Sequence, residues 1–182
     1  MPRRRLIAVL LVAVLVLAAF WILRANPAIL HGSPLPVGVP ADAFEMQVVS
    51  VHDGDTLNLQ TDSPDGVVVY SAAPVTVRLI GIDTPEIYPQ LECYGHEATS
   101  ELERLAPVGA TLLVSHDAGL TDRYDRSLFY LWTEDGTFIN LSLVQEGFAV
   151  AIKVAPNDAY FDVLKDAENA AQRSNLGMWG SC

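Results

Sequence analysis

Five residues of this 182-residue chain have the types and spacing needed for metal-assisted hydrolysis of a phosphodiester. Asp55 lies in Asp53-Gly54-Asp55-Thr56, and Arg126 ends Asp122-Arg123-Tyr124-Asp125-Arg126. Arg78, Asp83 and Glu86 share Arg78-Leu79-Ile80-Gly81-Ile82-Asp83-Thr84-Pro85-Glu86. The hard carboxylate oxygens of Asp55 and Asp83, with a backbone carbonyl and water, suit Ca²⁺, which prefers oxygen ligands and tolerates loose geometry. A third carboxylate, Glu86, can move a proton. The guanidiniums of Arg78 and Arg126 can grip a phosphate whose charge grows in the transition state. Each residue has a bland reading on its own. Asp-Gly is a common hairpin turn, and Arg126 beside Asp122 and Asp125 reads as a surface ion pair. Their joint occurrence is what points to chemistry. An EF-hand is excluded, because the glycine and the closing glutamate fall at the wrong spacings. His52, His96 and His116 are scattered and Cys-x-x-Cys is absent, so zinc and redox sites have no support.

The elements that must position these groups are mostly strands. Residues 44–51, 56–60, 67–70 and 75–82 are short, rich in β-branched side chains and separated by turn signals, which predicts an antiparallel meander. Residues 95–105 predict a helix, followed by strands at 111–116 and 127–133. Asn140 is placed to cap a short helix ending near Gly147, and Asn157 to cap a last helix with Phe161, Leu164, Ala167 and Ala171 on one face. The Asn140-Leu141-Ser142 acceptor pattern is better read as that cap. Trp132 and Trp179 read as packing groups. The fold class is therefore α+β: a five-stranded β-barrel of the OB type with about three helices. Within it, Val75, Val77 and Leu79 face the core and Arg78 the other side. Strict alternation would put Asp83 opposite Arg78, so a shared site requires the strand to bend or end between them, and Gly81 permits that. Pro85 keeps Thr84 extended and swings Glu86 off the strand line.

Ahead of the barrel, Arg3, Arg4 and Arg5 precede an uncharged apolar run over residues 6–23. Eighteen helical residues rise about 27 Å, enough to cross a bilayer. Residues 1–24 are thus a membrane anchor with the N-terminus inside, a single transmembrane helix, or else a cleaved signal segment. No Ala-x-Ala site closes the run. Residues 25–43 form a proline-rich tether, and residues 44–182 the folded domain, exported under either reading. An oxidising compartment allows Cys93 and Cys182 to pair. Closing a loop of about 90 residues would stabilise the fold by about 4–5 kcal/mol on chain-entropy grounds. Seven basic residues face 22 acidic ones after residue 24, a net charge of −15. That is contrary to the basic footprint of tight nucleic-acid binders.

Taken in order, Val51-His52-Asp53-Gly54-Asp55-Thr56, the stretch from Arg78 through Glu86, Tyr94-Gly95-His96-Glu97-Ala98 and Thr121-Asp122-Arg123-Tyr124-Asp125-Arg126 resemble the staphylococcal nuclease (thermonuclease) family. The resemblance covers roughly residues 44–179. It implies an OB-fold, Ca²⁺-dependent nuclease acting on DNA and RNA and leaving 3′-phosphate ends. It further implies that Asp55 and Asp83 ligate Ca²⁺ through carboxylates and Thr84 through its backbone carbonyl. Glu86 would activate or orient the attacking water, Arg78 and Arg126 would stabilise the phosphate, and Tyr124 would contact a neighbouring phosphate. Three departures stand out. The stretch Ala151-Ile152-Lys153-Val154-Ala155-Pro156 lacks the tyrosines that give the family member best known for nucleotide binding a base-stacking surface, Asp125 stands beside Arg126 where that member has glycine and could compete with phosphate for the guanidinium, and the surface is acidic. The expectation is an exported, membrane-tethered, Ca²⁺-dependent nuclease acting on single-stranded DNA or RNA. The alternative is a non-catalytic OB-fold binding or scaffolding module on the cell surface, against which the presence of both Arg78 and Glu86 argues.

Overall fold

Alternating apolar residues build the barrel. Met46 and Val48 of β1 (Phe44–Val51), Leu57 and Leu59 of β2 (Thr56–Gln60), and Val77 and Leu79 of β3 (Val75–Leu79) are all buried, while Glu45, Gln47 and Thr76 beside them turn outward. Each such side chain contributes about 1.5–3 kcal/mol when fully buried. The computed structural model describes residues 37–182; the segment 1–24 and most of the tether lie outside the described residues. After β3 come β4 (Ile82–Asp83), α1 (Gly95–Leu105), β5 (Thr111–Ser115), β6 (Ser127–Thr133), α2 (Ile139–Gln145), β7 (Val150–Ala151), α3 (Phe161–Arg173) and α4 (Met178–Ser181). The closed barrel runs β1-β2-β3-β6-β5, and β5 returns to β1. β3 and β6 are parallel and the other barrel pairs antiparallel. A five-stranded closed barrel with helices packed on it is the expected OB architecture. Among the described residues, no helix is long and apolar enough to cross a membrane.

The chain does break at Gly81. β3 stops at Leu79, Gly81 has φ +79°, and Ile82–Asp83 leave the barrel to pair with β7. A Cβ at Gly81 would stand 2.8 Å from Leu164 Cδ1, so α3 also presses on the bend. Asn140 holds it from below: its Nδ2 donates to Ile80 O at 2.8 Å and its Oδ1 accepts from Leu131 N at 3.0 Å.

Asn140 is therefore not a helix cap. It is wholly buried, and α2 starts after Phe138 with no side-chain cap bond. Burial rewards the residue that can pair two interior backbone groups, and this outweighs capping. Asn157 is likewise no cap: its amide bonds Gly119 N and O, and α3 begins only at Phe161. Residues 67–70 are not a strand. Asp65 Oδ1 accepts from the N–H groups of Val67, Val68 and Val69, which removes them from any ladder although Val68 and Val69 are buried. Val37, from the stretch read as tether, packs against the core, and its carbonyl accepts from Trp132 Nε1 at 3.2 Å. Trp132 is buried against Phe138, a packing group as expected. Cys93 and Cys182 form a disulfide with Cα atoms 6.0 Å apart.

Candidate active site

The tight turn after β1 and the break after β3 bring the singled-out residues together. His52 and Asp53 donate backbone N–H to Thr56 O, and Asp55 N–H donates to Asp53 Oδ1, so the Asp-Gly segment is both a hairpin turn and the mount for Asp55. The Asp55 carboxylate is buried. Its Oδ2 accepts from Thr84 N at 3.0 Å and stands 2.9 Å from Arg78 Nη2; its Oδ1 accepts from Thr56 Oγ1 at 3.1 Å. Arg78 Nη2 also donates to Asp83 Oδ1 at 2.6 Å, and its Nη1 donates to the carbonyls of Leu79 and Ile82, both at 2.8 Å. From Thr56 the chain of contacts reaches Arg126, whose Nη1 donates to Thr56 Oγ1 at 3.4 Å. Asp55, Arg78, Asp83, Thr84 and Arg126 thus form one continuous polar network. Thr56 links its two halves and was not anticipated from sequence. Its place directly after Asp55, at the start of a strand, gave no cue beyond adjacency.

Electrostatics at the site are dominated by carboxylates. Burial pushes the Asp55 carboxyl up to about 7; Arg78 and the Thr84 N–H pull it down, while the Asp53 and Asp83 charges push it further up. Glu86 is also raised, first by burial, then by the charges of Asp53 and Asp83, against Arg78, with Glu92 adding to the rise. One guanidinium serves several carboxylates, and it does not offset the burial of Asp55. The site is therefore short of positive charge and rich in hard oxygen donors, which fits a divalent cation of the Ca²⁺ kind. Among the described residues, no three His, Cys, Asp or Glu side chains are grouped closely enough to hold an ion by themselves. A backbone carbonyl and water would have to complete any such shell.

Arg126 is aimed by Asp122. Asp122 Oδ2 accepts from Arg126 Nε at 2.7 Å, and its Oδ1 accepts from the N–H groups of Arg126 and Tyr124. Asp125 does not compete for the guanidinium as expected. It sits at φ +64°, the left-handed turn position that explains a glycine there, and its N–H donates to Asp122 O. Tyr124 is exposed between two cations: Arg123 Nη2 donates to its hydroxyl at 2.7 Å, and Arg126 stands 5.5 Å from its ring centroid. Glu86 lies on the exposed loop after β4. No hydrogen bond ties its carboxylate to the network, and its coupling to Asp83 and Arg78 is through charge alone. Arg78 and Arg126 line a cleft of about 490 Å³ together with Tyr124 and with Ile152, Val154 and Pro156, the last three aliphatic where a base-stacking surface would need further aromatic rings.

The family described as staphylococcal nuclease homologue matches residues 76–181, a span holding Arg78, Asp83, Glu86, Tyr124 and Arg126. A thermonuclease of Staphylococcus intermedius is 34% identical over 135 residues, 72% of this chain and 74% of that protein. Endonuclease YncB of Bacillus subtilis (strain 168) is 30% identical over 146 residues, 78% of this chain and 67% of its own length. A thermonuclease of Staphylococcus hyicus is 30% identical over 138 residues, covering 74% of this chain and 75% of that one.

Proposed function

This chain belongs to the staphylococcal nuclease family, and from that premise we propose that it is a Ca²⁺-dependent nuclease hydrolysing single-stranded DNA or RNA. The observation that carries the reading is the network joining Arg126, Thr56, Asp55, Arg78 and Asp83, because it converges two guanidiniums and two carboxylates on one corner of the barrel.

In this reading Arg126 and Arg78 bind the scissile phosphate. Asp122 holds Arg126 by Nε and Thr56 accepts from its Nη1, while its Nη2 makes no hydrogen bond among the described residues. Glu86 accepts the proton of the attacking water as its oxygen bonds to phosphorus. The bond from phosphorus to the 5′ oxygen then breaks, that oxygen leaves as a hydroxyl by taking a proton from solvent, and a 3′-phosphate remains. Tyr124, flanked by Arg123 and Arg126, contacts an adjacent phosphate. Asp55 and Asp83, with the Thr84 carbonyl, would hold Ca²⁺, which when bound supplies positive charge that polarises the phosphoryl oxygen. The aliphatic Ile152, Val154 and Pro156 of the cleft support a preference set by the backbone phosphates more than by the base.

We further propose that the domain works outside the cell, held to the membrane through residues 6–23 or released by cleavage of that segment. The triple arginine before the apolar run and the Cys93–Cys182 bond support this. The test is to incubate the full-length chain with labelled single-stranded DNA and RNA, with Ca²⁺ and with chelator. Cleavage that stops on chelation is expected. Intact substrates of both kinds in the presence of Ca²⁺ would favour the non-catalytic binding module, the reading to which the net charge of −15 after residue 24 lends weight.

A further inference from the structure

The loop after β4 closes on itself at Glu86. Glu86 N–H donates to Glu92 Oε2 at 3.0 Å, and Glu92 N–H donates back to Glu86 O at 2.8 Å. Gly95, the first residue of α1, lies so near that a Cβ there would stand 2.7 Å from Glu86 O. Directly after Glu92, Cys93 is bonded to Cys182. The tail that carries Cys182 is anchored in turn, since Met178 N–H donates to Gly147 O at 3.0 Å and Cys182 N–H to Met178 O at 3.0 Å. Several constraints thus meet on the Glu86 backbone, while its carboxylate is left pointing from an exposed loop. Tyr88 and Leu91, between the two glutamates, are exposed and do not fix the loop by packing.

We propose that Glu92 is a positioning residue for Glu86. Its carboxylate holds the Glu86 N–H and so aims the Glu86 side chain, and the Cys93–Cys182 bond keeps Glu92 in place against the C-terminal turn. This rests on the reading of Glu86 as the proton acceptor. What Glu92 supplies is an acceptor oxygen at a set reach, so a glutamine serves in its place, whereas alanine removes the acceptor and aspartate withdraws it by one methylene.

The test is steady-state hydrolysis of labelled single-stranded DNA by the full-length chain in Ca²⁺, with Glu92→Ala, Glu92→Asp and Glu92→Gln, each alone and with Glu86→Ala. Displacing a reacting group by an ångström costs up to about a hundredfold. Glu92→Ala and Glu92→Asp should therefore lower kcat by about tenfold or more at a KM within about twofold, and Glu92→Gln should stay within about threefold of the parent. The loss should vanish in the Glu86→Ala background, because nothing remains to be aimed. A Cys93→Ser, Cys182→Ser double variant should lower kcat in the same sense at unchanged KM. Wild-type kcat in Glu92→Ala, an equal loss in Glu92→Gln, or the same loss with and without Glu86 would overturn the proposal. Wild-type kcat in Glu86→Ala alone would overturn the reading of Glu86 itself, and this proposal with it.

Discussion

Arg78 Nη2 stands 2.6 Å from Asp83 Oδ1, although five positions of unbroken strand would place the two on opposite faces. The break at Gly81, with φ +79° and no room for a Cβ against Leu164, is what reconciles them. Gly81→Ala adds left-handed strain of about 1–2 kcal/mol and a clash with α3. The expected outcome is a lower unfolding midpoint in urea together with a loss of nuclease activity beyond the fraction unfolded, because Asp83 is displaced from Arg78. Wild-type activity in the folded variant would show that the bend is not what places Asp83.

Asp122 offers a prediction in pH. Burial alone would raise its carboxyl, but hydrogen bonds from the Arg126 N–H, the Arg126 side chain and the Tyr124 N–H, with the Arg126 charge, outweigh it and hold it below its ordinary 3.8. A carboxyl lowered by folding stabilises the native state above its unfolded value, and that contribution is lost as pH falls through the folded value. The stability gap between the wild type and Asp122→Asn should therefore be full at neutral pH and close below about pH 4. Urea titrations across that range check it. At neutral pH the same variant should also lower kcat, because Arg126 Nε loses its charged acceptor.

Much of this was legible in the sequence, for reasons that differ by element. Strands β1, β2, β5 and β6 announce themselves as short apolar, β-branched runs set off by turn signals, and α1 lies over the residues expected to form a helix. The bend at Gly81 follows from requiring Arg78 and Asp83 to meet. The residues misread were polar ones whose partners are distant in sequence. Asn140 pairs Ile80 and Leu131, and Asn157 pairs Gly119. A local pattern cannot distinguish an asparagine that caps a helix from one that bridges two buried backbones. Residues 67–70 failed as a strand because Asp65, outside the apolar run, takes their N–H groups. Thr56 and Glu92 escaped notice because their roles are hydrogen bonds to groups that only the folded chain brings near.

Ionic strength gives a third prediction. The chain after residue 24 carries a net −15, so long-range repulsion opposes the approach of a polyanion. Salt screens that repulsion over a Debye length of about 8 Å at physiological strength. Cleavage of single-stranded DNA should therefore fall little, or rise, as salt is raised from low to physiological concentration. Steep inhibition would show that the local cations Arg78, Arg123 and Arg126 govern binding instead.

The most direct measurement of the central claim is Ca²⁺-dependent kcat/KM on labelled single-stranded DNA for the full-length chain beside Glu86→Ala and Arg126→Ala, with thermal unfolding of each. Single acid-base or electrostatic groups contribute about 10²–10⁴ in rate. The account predicts losses of that order in both variants, with unfolding transitions close to the wild type's, and no cleavage by any of the three in chelator. Either variant cleaving at the wild-type rate, or cleavage indifferent to chelator, would contradict it.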